Sequence, residues 1–267
     1  MGTVIAVDVE RMVGFGAKTG WLAVDSAGPD EIVGALGGRV LGPLDWSEGV
    51  DRAYREPDTV LITPMLPGAG DTGWRLVAGG WIAEHADGLD IAALSARLGG
   101  QVQLFVTHRV VELHRWERAA KGELVRSFEY VGERGGITRW YGQPQEVERN
   151  LGLPATDTQP DLPLDHHDIR VGEHDLMRVA AVWSVDPVSL DGQPAAGSLI
   201  LARLPVTADE RRAAGIPLRT AAPVDVTDLI VSGMPVEDVN AEIARRIRQQ
   251  STWRRRLLGG LLRHRHR

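Results

Sequence analysis

The feature that most restricts the fold is one run, QVQLFVTHRVVELHRW from Gln101 to Trp116, followed by Ala120-Lys121-Gly122-Glu123 and then LVRSFEYV. The run is too apolar and too β-branched for a loop. A Lys-Gly pair between two such runs reads as a tight turn, so the segment predicts an antiparallel hairpin. Other runs join it. Thr3 to Val9, Trp21 to Val24 and TVLITPML from Thr59 read as short buried strands.

Helix signals alternate with these strands. Pro29 suits a first turn, Asp30 and Glu31 suit the positive end of a helix dipole, and Gly37-Gly38 ends the apolar stripe of Ile32, Val33, Ala35 and Leu36. Asp45 and Glu48 have capping-box spacing, and Thr207 with Glu210 repeats it. Leu176, Val179, Ala180 and Trp183 share a helical face that stops at Asp186-Pro187. A last helix starts near Pro235. The expected class is therefore α+β, a largely antiparallel sheet with helices packed on one face and a helical C-terminal part.

GWLAV at Gly20 leads to a helix ending Leu36-Gly37-Gly38, and GWRLV at Gly73 leads to one ending Leu98-Gly99-Gly100. This echo reads as two copies of one strand-helix-strand unit, against the plainer reading that glycine-terminated helices often precede strands. The proline-rich stretch from Leu153 to Pro163 reads as a linker or crossover loop. The division expected is an α+β sheet domain over 1–152, a mainly helical part over 164–250 packed on it, and a basic tail over 251–267.

The stretch from Leu94 to Gly135, with GWLAV at Gly20 and VWSVDP at Val182, resembles a pattern of uncharacterised bacterial proteins. The resemblance spans roughly two thirds of the chain and implies one integrated α+β architecture. It transfers no activity and no catalytic residue.

Charge is distributed unevenly. From Ala244 to Arg267 there are nine arginines and no acid; the other 21 of the 30 basic residues face all 36 acids, a net of −15. An acidic body with a basic appendage suits a basic protein partner on the body, or an anionic membrane surface on the tail. The tail contacts expected are Arg245, Arg248, Trp253, Arg254, Arg255 and Arg256. Gly259-Gly260 spoils its amphipathic helix by about 1 kcal/mol per glycine. Nucleic acid ranks last, since no aromatic interleaving or nucleic-acid fold signal accompanies the arginines. The chain has no cysteine, which excludes disulfides and thiolate chemistry and agrees with a cytoplasmic protein.

Few motifs carry chemistry. GFGAKTG at Gly14 has Ala17 and Met12 where a phosphate loop needs glycines, so it reads as a glycine-rich turn. On an extended strand His108, Glu112 and His114 would share one face at about 6.6 Å intervals, the chemistry of a zinc site or an acid/base cluster. The rival reading is polar pairing across the hairpin with the strand from Leu124 to Val131. A second dense group is Asp165, His166, His167 and Asp168 with Glu173, His174 and Asp175, where metal ligation competes with helix capping. No cofactor signature is present. The leading expectation is a non-catalytic, immunity- or adaptor-like protein that binds a macromolecule through its acidic surface. The alternative is a metal-dependent or acid/base hydrolase using the His108–His114 or His166–Asp175 group.

Overall fold

A computed structural model describes residues 10–132, 136–157 and 169–219. The described residues up to Leu218 form one compact unit. The expected strand from Thr3, the helix near Pro235 and the basic tail lie outside the described residues, as do His166, His167 and Asp168.

The hairpin forms as expected. Strands β6 (Gln101–His108), β7 (Leu113–Ala120) and β8 (Glu123–Val131) pair in succession, and β9 (Gly136–Tyr141) continues the meander. Lys121 (φ 51°) and Gly122 (φ 90°) both take left-handed backbone at the β7–β8 turn, the conformation of a two-residue hairpin loop. Ahead of the meander come β1 (Gly20–Val24), β2 (Arg39–Leu44), β3 (Thr59–Ile62), the short β4 (Leu66–Pro67) and β5 (Gly73–Gly79); β10 (Leu199–Arg203) follows it. Among the described residues the sheet has ten strands, all antiparallel, in the order β2-β10-β3-β5-β1-β6-β7-β8-β9 with β4 on β5.

Strands β1 and β3 are buried along their whole length. Their odd and even side chains are both apolar, so both faces need cover. On one face Trp21, Ala23, Leu61, Phe105, Trp116 and Phe128 pack with α2 (Trp46–Arg55) and α6 (Glu173–Trp183). On the other, Leu22, Val24, Val60, Val102 and Leu104 pack with α1 (Pro29–Ala35), α3 (Gly80–His85) and α4 (Ile91–Leu98). The helices thus cover both faces, where the sequence reading put them on one. The indoles of Trp46, Trp81 and Trp116 are fully buried, yet each N–H finds an acceptor: Gly197 O, Pro205 O and Glu148 Oε1, each at 2.8 Å.

Local caps follow the sequence. Asp45 accepts from Glu48 N, and Thr207 with Glu210 forms the reciprocal box that opens α7 (Ala208–Ala213). Two larger expectations change. The echo is local only: Gly37 and Gly99 both end helices in left-handed backbone, but β5, β3 and β10 separate β1 from β2, whereas β1 alone separates β5 from β6. The segment expected to be mainly helical also contains β10, which sits inside the sheet between β2 and β3. An apolar run of five residues can be strand or buried helix, and only its partners settle which.

Because Leu201 is buried within that late strand, Leu201→Ala is expected to cost about 2–5 kcal/mol in urea unfolding. Far-ultraviolet and tryptophan signals should shift together in one transition; a separate helical transition left at its original midpoint would refute the single-unit description.

Candidate functional site

The first expected group does not share a strand face. Residues Arg109 to Glu112 form the turn between β6 and β7, with Val111 N donating to His108 O at 3.3 Å and Glu112 in left-handed backbone (φ 49°). Two valines and no glycine hid this turn. The register sets Thr107 opposite His114, and His108 opposite Leu113. His108 and His114 therefore occupy alternate faces of the ladder, and Glu112 is exposed on the turn.

His114 has other company. It is 2 % exposed, and its Nδ1 lies 2.9 Å from Thr107 Oγ1. Thr107 Oγ1 in turn donates to Glu173 Oε2 at 3.3 Å, and Glu173 also accepts from Lys18 N at 3.4 Å. A carboxylate can only accept and a threonine has one proton, so the His114 Nδ1–H is the donor and Nε2 carries the lone pair. Burial pushes the His114 pKa below the ordinary histidine value, against the pull of Glu173, Glu112 and Asp175. Burial also lowers His108, helped by the Lys18 charge and opposed by Glu173. The fold thus joins one member of the first group to Glu173 and Asp175 of the second. His174 is exposed on the first turn of α6. Among the described residues no three His, Asp or Glu side chains gather as a metal site would require.

The register organises this face of the sheet into three cross-strand rows. Trp21, Phe105, Trp116, Phe128 and Trp140 form the middle row, with stacked contacts at 5.1 Å (Trp21–Phe105) and 4.3 Å (Trp116–Phe128). Trp140 is part of β9. Thr107, His114 and Tyr130 make the row on one side, and Gln103, Arg118 and Arg126 the row on the other.

Arg126 and Glu148 are both fully buried and meet at 2.8 Å through Nε and Oε1. Arg126 Nη1 donates to the carbonyls of Tyr141 and Gly142 at 3.0 Å each, its guanidinium carbon lies 4.2 Å from the Trp140 ring centre, and Nη2 has no hydrogen-bond partner among the described residues. Arg118 Nη2 donates to Gln101 Oε1 at 2.7 Å, and its guanidinium sits 5.9 Å from the Trp183 ring centre. Gln103 Nε2 donates to Trp183 O at 2.9 Å, while Gln103 Oε1 and Trp183 Nε1 are both buried without a partner among the described residues.

The opposite face of the same strands is also charged, and there each arginine is paired with carboxylates. Arg115, Glu129 and Arg139 lie side by side across β7, β8 and β9. Glu117 Oε1 accepts from Arg115 Nη2 at 2.7 Å, Arg139 Nη1 at 2.9 Å and Ser127 Oγ at 2.9 Å, and Asp87 Oδ1 accepts from Arg115 Nη1 at 2.7 Å. Burial alone would lower the Arg115 pKa; Glu117, Asp87 and Glu129 more than offset it and hold it above the ordinary value. Sequence reading missed these arginines, because a charged residue on a strand looks like a solvent-facing one until distant chain, here Ala86 and Asp87, packs over that face.

Arg245, Arg248, Trp253, Arg254, Arg255 and Arg256 fall outside the described residues. Among those described, no helix is long and apolar enough to cross a membrane. No protein-family model, no curated protein and no solved structure matches the chain.

His85, His108 and His114 are all held below their ordinary value of 6.5, with burial the largest cause for each. Above that value each is neutral folded or unfolded and contributes no pH dependence. Below it the unfolded chain binds more protons than the folded one, so stability falls as pH drops. The urea midpoint is expected to decrease between about pH 7 and about pH 5, with a shallower decrease in His114→Asn, whose amide keeps a donor near Thr107. A midpoint that rises on acidification over this window would contradict the burial argument.

Proposed function

We propose that the protein acts by binding a macromolecular partner of net positive charge through its acidic exterior, in the manner of an immunity or adaptor protein, and not by turning over a substrate. The observation that carries this reading is the net charge of −15 outside the last 24 residues. Exposed carboxylates agree with it locally. Glu10 Oε1 accepts from Trp46 N at 2.5 Å and Asp45 Oδ1 from Glu48 N at 2.8 Å, so Glu10, Asp45 and Glu48 gather at the start of α2, all three exposed. A field of one sign steers partners of the other and speeds their encounter. The cytoplasm is the setting that goes with this reading.

Affinity capture from the native host, with the full chain and with the chain ending at Gln250, is expected to recover a basic protein that elevated salt releases. Glu10→Lys with Glu48→Lys should slow its association about tenfold. Failure to recover any partner with either form would overturn the proposal.

One arrangement favours a second reading, acid/base hydrolysis at His114. The Glu173–Thr107–His114 chain leaves Nε2 as proton acceptor, and burial favours the neutral ring. Hydrolysis of chromogenic ester or phosphodiester substrates, lost by about a hundredfold or more in His114→Gln and in Thr107→Val, is the expected result on this reading. Hydrolysis undiminished in His114→Gln would exclude it.

A further inference from the structure

We infer that the Gln103–Arg118–Arg126 row is a binding site for a small oxyanion that also carries a hydroxyl donor, such as hydrogen phosphate or a hydroxy-carboxylate. Arg118 and Arg126 stand directly opposite one another on β7 and β8, the arrangement in which like charges on paired strands repel. One carboxylate, Glu148, bonds Arg126 through Nε; Arg118 has the neutral amide oxygen of Gln101. On the other face of the same strands Arg115 meets Asp87 and Glu117 directly. The imbalance therefore belongs to this row and is not a property of the sheet.

Unused hydrogen-bonding capacity lies along the same row and on the Trp183 that bonds it. Among the described residues Arg126 Nη2 and Trp183 Nε1 are buried donors without partners, and Gln103 Oε1 is a buried acceptor without one. Gln103, Arg118 and Arg126 are consecutive across three strands, and Trp183 joins them by accepting from Gln103 Nε2 and lying against the Arg118 guanidinium. Leaving such groups unpaired in the interior costs about 1–3 kcal/mol each, more where charge is involved. An oxyanion in this row meets the spare Arg126 Nη2 donor and the charge of both arginines together. Its own hydroxyl proton matches Gln103 Oε1. Burial lowers the pKa of both arginines, opposed by Glu148 for Arg126 and by Asp25 for Arg118, so added negative charge is welcome there. Arg118 is only half-buried, which leaves the row open from its side.

Sulfate is the discriminating comparison. It has the charge and shape of phosphate but no proton for Gln103. The test is calorimetric titration and thermal unfolding of the full chain with inorganic phosphate, sulfate and lactate, with ionic strength held constant by sodium chloride. Saturable binding of phosphate or lactate, at least about tenfold tighter than sulfate and weakened about tenfold or more in Arg118→Gln, is the expected result. Phosphate or lactate tells which oxyanion the row prefers. Arg118→Lys keeps the charge and the stem but not the fork, and is expected to bind with intermediate affinity, so it decides the matter if Arg118→Gln does not fold. The inference is overturned if neither phosphate nor lactate binds, if sulfate binds equally well, or if the Arg118 variants bind as the parent does.

Discussion

Strands that are apolar on both faces must be covered on both faces, and the rest of the structure depends on meeting that demand. Trp21 and Ala23 point one way from β1 while Leu22 and Val24 point the other, all fully buried. Chain segments distant in sequence therefore have to supply two layers: α2 and α6 on one side, α1, α3 and α4 on the other. Burying one large apolar side chain is worth about 1.5–3 kcal/mol, so no local preference over a few residues outweighs the need to complete these layers.

The same demand explains the charged interior of the meander. Where β7, β8 and β9 extend the sheet, polar side chains fill positions that are apolar nearer its centre. A buried charge is tolerated when it is paired and hydrogen-bonded. On one face the requirement is met with Arg115, Glu117, Glu129, Arg139 and Asp87 forming a connected set. On the other, Glu148 is shared by Arg126 and Trp116, and its second oxygen accepts from Gln145 N at 2.8 Å, tying α5 (Glu146–Arg149) to the sheet. That one carboxylate anchors a helix, an indole and an arginine, and the adjacent row keeps donors and an acceptor to spare.

Legibility in the sequence tracked the range of the interaction. The Lys121-Gly122 turn, the Asp45 and Thr207 caps and the glycine ends at Gly37 and Gly99 depend on residues within a few positions, and each is found where the residues suggest. The turn at Arg109–Glu112 escaped, because Val110 and Val111 carry strand preference and nothing there announces a left-handed residue. β10 escaped too, since LILAR acquires its identity from β2 and β3, more than 130 residues earlier. The histidine candidates suffered from both: a misread turn placed His108 beside His114, and only folding brought Glu173 to Thr107.

By itself the sequence determined the class, an antiparallel α+β sheet, with most helix ends and the charge asymmetry of the chain, because these follow from nearest-neighbour backbone chemistry and from composition. Tertiary structure alone decided which strands are neighbours, that both faces are covered, and which charged side chains are buried in pairs or left with bonds to spare. The reason is physical: burial and partnership are properties of positions in space, and register across strands assigns those positions without regard to distance along the chain.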